Sequence, residues 1–99
     1  MYESRLKNEE NDHLFRAILS LKNEEECYRF FEDLCTLGEL LAMGQRYHVA
    51  EALYGGTTFA DISEQIGASS TTITRVNKCL NYGADGYRLV LDRMNGKEK

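Results

Sequence analysis

A chain of 99 residues, 42% of them hydrophobic, has material for one domain with a single core and little surplus, so a second copy would help to stabilise it. No apolar run approaches a membrane span and no segment resembles a signal peptide, which points to a soluble, unprocessed, cytoplasmic protein rather than a membrane protein. The net charge of −4 argues against a nucleic-acid partner unless the charge is unevenly spread.

Proline is absent and no stretch alternates in the manner of a strand, so the expected class is all-α. The organisation expected is one domain over 1–99: an arm at 1–10, dimerisation helices over 11–57, a helix-turn-helix over 58–82, a last helix over 85–95 and a tail at 96–99. The arm is polar and charged, with Arg5 and Lys7 its basic groups, and reads as mobile. From Asn11 the pattern Leu14, Phe15, Ile18, Leu19, Leu21 gives an apolar face on a helix ending near Asn23. Asn23 then caps a second helix whose first turn, Glu24-Glu25-Glu26, suits the positive end of the helix dipole. Cys27, Phe30, Phe31, Leu34 and Cys35 form a stripe along it at i, i+3, i+4, i+7 and i+8. Two aromatics and two thiols are more apolar surface than a short helix hides against one neighbour, so a partner chain is expected there.

Thr36 and Glu39, three apart, form a capping box that opens a longer helix reaching Tyr54. Leu37, Leu40, Leu41, Met43, Tyr47, Val49, Ala50 and Leu53 lie on more than one of its faces, which places it at the centre of the fold. Gly55-Gly56 ends it. Thr58, with Asp61 three residues on, caps the next helix, where Ile62 and Ile66 stand four apart. Gly67 sits where that helix must stop in a left-handed conformation, and Ser69 or Ser70 can cap its successor, on which Ile73, Val76 and Leu80 share one face. Two short helices joined at a glycine, each with one apolar side, are a helix-turn-helix. After a turn at Gly83, Asp85 can start a last helix bearing Tyr87, Val90, Leu91 and Met94.

The outside of the second of these two helices carries the functional signal. Ser69, Ser70, Thr71, Thr72 and Thr74 put small hydroxyls at its start, and Arg75 and Lys78 follow. Short donors at a helix N-terminus can approach phosphates and base edges closely. The charge is indeed uneven: residues 1–66 hold six Lys/Arg against thirteen Asp/Glu, whereas 67–99 hold six against three, and no acid lies between Glu64 and Asp85. Ser69, Ser70, Thr71, Thr72, Thr74, Arg75 and Lys78 are therefore the candidate contacts to double-stranded DNA.

Other chemistry is poorly represented. Cys27, Cys35 and Cys79 lack CxxC spacing, and their odd number forbids a fully paired disulfide framework, which fits a reducing compartment. His13 and His48 have no second ligand at metal spacing. No Gly-rich phosphate loop, nucleophile elbow or carboxylate pair is present, so no catalytic residue, metal or cofactor is assigned.

At Ile66-Gly-Ala-Ser-Ser-Thr-Thr-Ile-Thr-Arg75 the sequence resembles the Trp repressor family, and within it the small YerC/YecD-like branch. The likeness extends more weakly over about Leu34 to Met94. It implies an intertwined all-helical dimer presenting two reader heads, whose half-sites in helix-turn-helix dimers lie about 34 Å apart. The resemblance further implies a corepressor pocket at Thr36, Arg46, Arg75, Val76 and Cys79. Two arginines that sandwich an indole ring in the family match Arg46 and Arg75, and a pocket threonine matches Thr36. A family glycine that leaves room for the ring is Val76 here, and a serine that holds the ligand's amino group is Cys79. Both departures disfavour tryptophan and leave room for a smaller anionic or aromatic effector. The first reader helix departs as well, carrying Ala60, Asp61, Ser63 and Glu64 where the family has basic groups. The expected function is a dimeric DNA-binding transcriptional regulator; the alternative is a protein-interaction module that has kept the fold without the reader function.

Overall fold

The computed structural model describes residues 2–97, which form six helices: α1 (Glu9–Leu19), α2 (Glu24–Leu34), α3 (Leu37–Tyr54), α4 (Phe59–Ile66), α5 (Ser70–Tyr82) and α6 (Gly86–Met94). No strand occurs among the described residues, so the class is all-α, as expected from the absence of strand-like alternation. The backbone divides into two compact units, one ending at Leu37 and the other beginning at Gly38.

In the first unit α1 begins at Glu9, two residues earlier than its apolar periodicity indicates and inside the segment read as an arm. Asn8 is the cause: its side-chain oxygen accepts the Asn11 backbone N–H at 2.7 Å, and Glu9, Glu10 and Asp12 occupy the dipole's positive end. The Lys7 ammonium bonds the Asp12 carboxylate, and that hydrogen bond is the main reason the Asp12 pKa is lowered. The helix also stops early, at Leu19, where the Ser20 hydroxyl donates to the Ala17 carbonyl at 2.6 Å and competes with continued helix. Asn23 caps α2 as expected, accepting the Glu26 N–H at 2.9 Å, while the Glu26 carboxylate accepts the Lys22 N–H at 2.8 Å. Phe30 and Phe31 meet edge to face, with ring centroids 5.6 Å apart. Neither α1 nor α2 contains a buried residue.

The second unit holds the core. Val49 and Ala50 from α3, Ile62 from α4, Ala68 from the turn, Ile73, Val76 and Leu80 from α5 and Leu91 from α6 are buried together. Tyr47, Ala52, Leu53, Tyr54, Ile66 and Tyr87 pack against them. Burying each aliphatic side chain of this size is worth about 1.5–3 kcal/mol relative to exposure, which fixes α4 and α5 against the C-terminal half of α3. On α6, Tyr87 and Leu91 turn inward, whereas Val90 and Met94 are exposed. Asp85 precedes α6, but it starts the helix through a left-handed backbone at φ 65° and not through a side-chain cap.

Candidate nucleic-acid interface

The corner between α4 and α5 is built by local chemistry at each of its ends. Thr58 accepts the Asp61 N–H at 3.2 Å and opens α4. Gly67 closes it at φ 78°, ψ 17°, its N–H bonding the Ser63 carbonyl, a left-handed ending that a glycine adopts without penalty. Ala68 is buried directly after the bend, and Ser69 stands at the cap of α5. Ile62 on one side and Ile73 and Val76 on the other then share the core, so the opposite face of α5 is turned outward.

That outer face carries most of the expected contacts. Ser70, Thr71, Thr74, Arg75 and Lys78 are exposed, and Thr71, Thr74, Arg75 and Lys78 follow one another at i, i+3, i+4 and i+7 along a single stripe. Among the described residues neither Arg75 nor Lys78 pairs with a carboxylate, so both cations are available to an incoming anion. Ser69 and Thr72 are engaged differently. The Ser69 Oγ accepts the Thr72 N–H at 3.1 Å and lies 3.1 Å from the Thr72 Oγ1, so both hydroxyls serve the cap. Thr72 is half-buried as well.

The residues matched to a corepressor pocket are distributed otherwise. Thr36 immediately precedes α3 and is exposed, as are Arg46 on α3 and Arg75 and Cys79 on α5. Val76 lies in the core at 2% exposure. Among the described residues no group of three His, Cys, Asp or Glu side chains is gathered to hold a metal ion, and no helix is long and apolar enough to cross a membrane.

The family model for the Trp repressor protein matches residues 9–95, all six helices included. The chain belongs to the Trp repressor family. It is 50% identical over 98 residues to the protein YerC of Bacillus subtilis (strain 168), an alignment covering 99% of this chain and 94% of that one. A TrpR-like protein from Eubacterium eligens ATCC 27750 superposes with a TM-score of 0.88 at 50% identity, covering 96% of this chain and 98% of the other. A crystal structure described as a candidate Trp repressor from Staphylococcus aureus gives 0.87 at 48% identity, over 92% and 91% of the two chains. The fold of this Trp repressor family member is thus shared along nearly its whole length.

Two features of α5 escape the sequence pattern. Arg88 on α6 reaches back to its C-terminus, donating from Nε to the Leu80 carbonyl at 3.1 Å and from Nη2 to the Asn81 Oδ1 at 3.0 Å. Asn81 in turn donates to the Asn77 carbonyl at 2.9 Å. A contact eight residues distant between two helices leaves no periodic trace. Tyr82 is the second: it continues the outer stripe four residues beyond Lys78, and carrying the helical spacing one turn further would have found it.

Proposed function

We propose that this protein is a dimeric, sequence-specific DNA-binding regulator of transcription in the cytoplasm. One observation carries the reading: α5 presents an exposed, acid-free stripe of hydroxyls and cations directly opposite the buried Ile73, Val76 and Leu80. Arg75 and Lys78 position the head on phosphates, while Ser70, Thr71 and Thr74 approach base edges in the major groove, directly or through water. Ser69 and Thr72 hold the helix start that brings those groups forward. Membership in the Trp repressor family supports both the DNA partner and the pairing of two copies. Exposed Asp61 and Glu64 on α4 oppose phosphate contact there, so the salt dependence of binding is shallow for a helix-turn-helix protein. Within the second unit, Arg46, Arg75 and Cys79 are the family-matched positions proposed to meet a small anionic or aromatic effector, while Val76 lies in the core. Calorimetry with tryptophan then gives no heat.

Selection of bound fragments from genomic DNA at low salt, repeated at raised salt, tests the reading. A consensus enriched in both rounds and lost with Arg75→Ala is the expected result. A pure dimer that retains no fragment at low salt overturns it. The acidic surface of α4 favours one other reading, an interaction module, which requires a protein partner captured with equal efficiency by the wild type and by Arg75→Ala.

A further inference from the structure

Tyr82 stands at the end of α5 on the same side as the reader stripe. From Thr71 the positions Thr74, Arg75, Lys78 and Tyr82 follow at i+3, i+4, i+7 and i+11, so at 100° per residue all five fall within an arc of about 100°. Tyr82 is 86% exposed, more than any other large hydrophobic side chain among the described residues. Its hydroxyl has no hydrogen-bond partner among them. A tyrosine has an apolar ring and a polar tip, a combination suited to a surface that another molecule covers.

Helix geometry says which part of a duplex it meets. Thr71 to Lys78 spans about 10 Å of helix axis, close to the major-groove width of about 12 Å. Tyr82 lies about 6 Å further, one turn beyond Lys78, past the base edges and level with the backbone wall. Phosphate oxygens there accept hydrogen bonds from tyrosine as well as from cations. We propose that Tyr82 is a further DNA-contacting residue, its phenol donating a hydrogen bond to a phosphate oxygen at the rim of the groove that the start of α5 enters. The inference rests on the DNA-binding reading above and adds to it an uncharged anchor at the far end of the reader helix.

The absence of charge makes the anchor separable from its neighbours. A neutral donor displaces no condensed cation, so its loss weakens binding without changing the slope of log affinity against log salt; removing a lysine contact lowers that slope by about one. The experiment measures binding of the full-length protein to the duplex recovered from the genomic selection, across a salt series, for wild type, Tyr82→Phe and Lys78→Ala. Tyr82→Phe keeps the ring and leaves the melting temperature unchanged. Its expected effect is an affinity about tenfold weaker at every salt concentration, with the wild-type slope. Wild-type affinity for Tyr82→Phe alongside a reduced slope for Lys78→Ala overturns this inference and leaves the DNA reading standing. Failure of the genomic selection to yield any bound duplex overturns both.

Discussion

A Cβ added at Gly67 meets nothing within 4 Å, yet the residue sits at φ 78°, where an L side chain is strained by its own backbone. Gly83 presents the reverse case. Its φ of −88° suits any residue, but a Cβ there lands 2.4 Å from the Cys79 carbonyl oxygen, with no flexible atom to give way. Gly67→Ala should therefore cost about 1–2 kcal/mol, all of it conformational, and Gly67→Asn less. Gly83→Ala should cost about 3 kcal/mol, because backbone must move to admit it. Urea unfolding of the three variants checks the order. Tyr54 carries a second prediction at this scale. Its hydroxyl donates to the Asp92 carboxylate at 2.5 Å, tying the end of α3 to α6, and that hydrogen bond, followed by desolvation and the carboxylate charge, raises the tyrosine's pKa above its ordinary value of 10.0. A group whose pKa is raised on folding stabilises the fold below its unfolded value, and the stability is lost as pH rises through the folded value. Stability should accordingly fall as pH climbs above about 10, and Tyr54→Phe should flatten part of that decline. Tyr47 is shifted the same way, by burial and then by the Glu51 charge, and contributes in the same sense. Melting curves between neutral and alkaline pH decide it.

The ends of the helices were the most legible features of the chain because capping is local chemistry. Asn23, Thr58 and Gly67 each perform the role that their position and type indicate. The same signal at Asn8, an asparagine followed by acidic residues, passes unnoticed when the helix is sought through its apolar stripe, since its first turn has no apolar member. Apolar spacing alone would overstate α6: Tyr87, Val90, Leu91 and Met94 stand at i, i+3, i+4 and i+7, but only Tyr87 and Leu91 reach the core. At the start of α5 the hydroxyls are easy to see, whereas their division of labour depends on the cap geometry that draws Ser69 and Thr72 together. Arg88 is illegible for a deeper reason, being a tertiary partner to the last carbonyls of α5, which no helix can satisfy from within. Its guanidinium bonds both the Leu80 carbonyl and the Asn81 side-chain oxygen, and so holds the end of α5 against α6. Arg88→Ala should destabilise the fold by about 1–2 kcal/mol, and Arg88→Lys, lacking the fork, should recover less than half. If Arg88 acts through the helix and not on phosphate, the variant's specific binding weakens while its salt slope stays that of the wild type. A slope lowered by about one would instead place Arg88 on the DNA.

Across the whole molecule the distribution of burial is lopsided. Every buried hydrophobic residue among those described lies between Val49 and Leu91, while α1 and α2 have none. Along α3 the same contrast occurs within one helix: Val49 and Ala50 are fully buried, yet Leu37 is 75% and Leu41 63% exposed. Ordering a helix costs about 1–2 kcal/mol of backbone entropy per residue, which apolar side chains left in water do nothing to offset. On the dimeric reading proposed above, a second copy covering these side chains would supply the missing burial. The consequence is measurable at Leu41. On a free surface Leu41→Glu changes stability by no more than about 0.5 kcal/mol. Beneath a partner chain it places a carboxylate among apolar groups, at a cost of several kcal/mol and hence a loss of association of about a hundredfold or more. Sedimentation of the wild type should show a dimer whose melting temperature rises with protein concentration, because the folded state is then linked to assembly. Leu41→Glu should sediment as a monomer and bind duplex DNA far more weakly, although its reader stripe is intact. A Leu41→Glu protein that remains dimeric would place the contact between copies on some other surface.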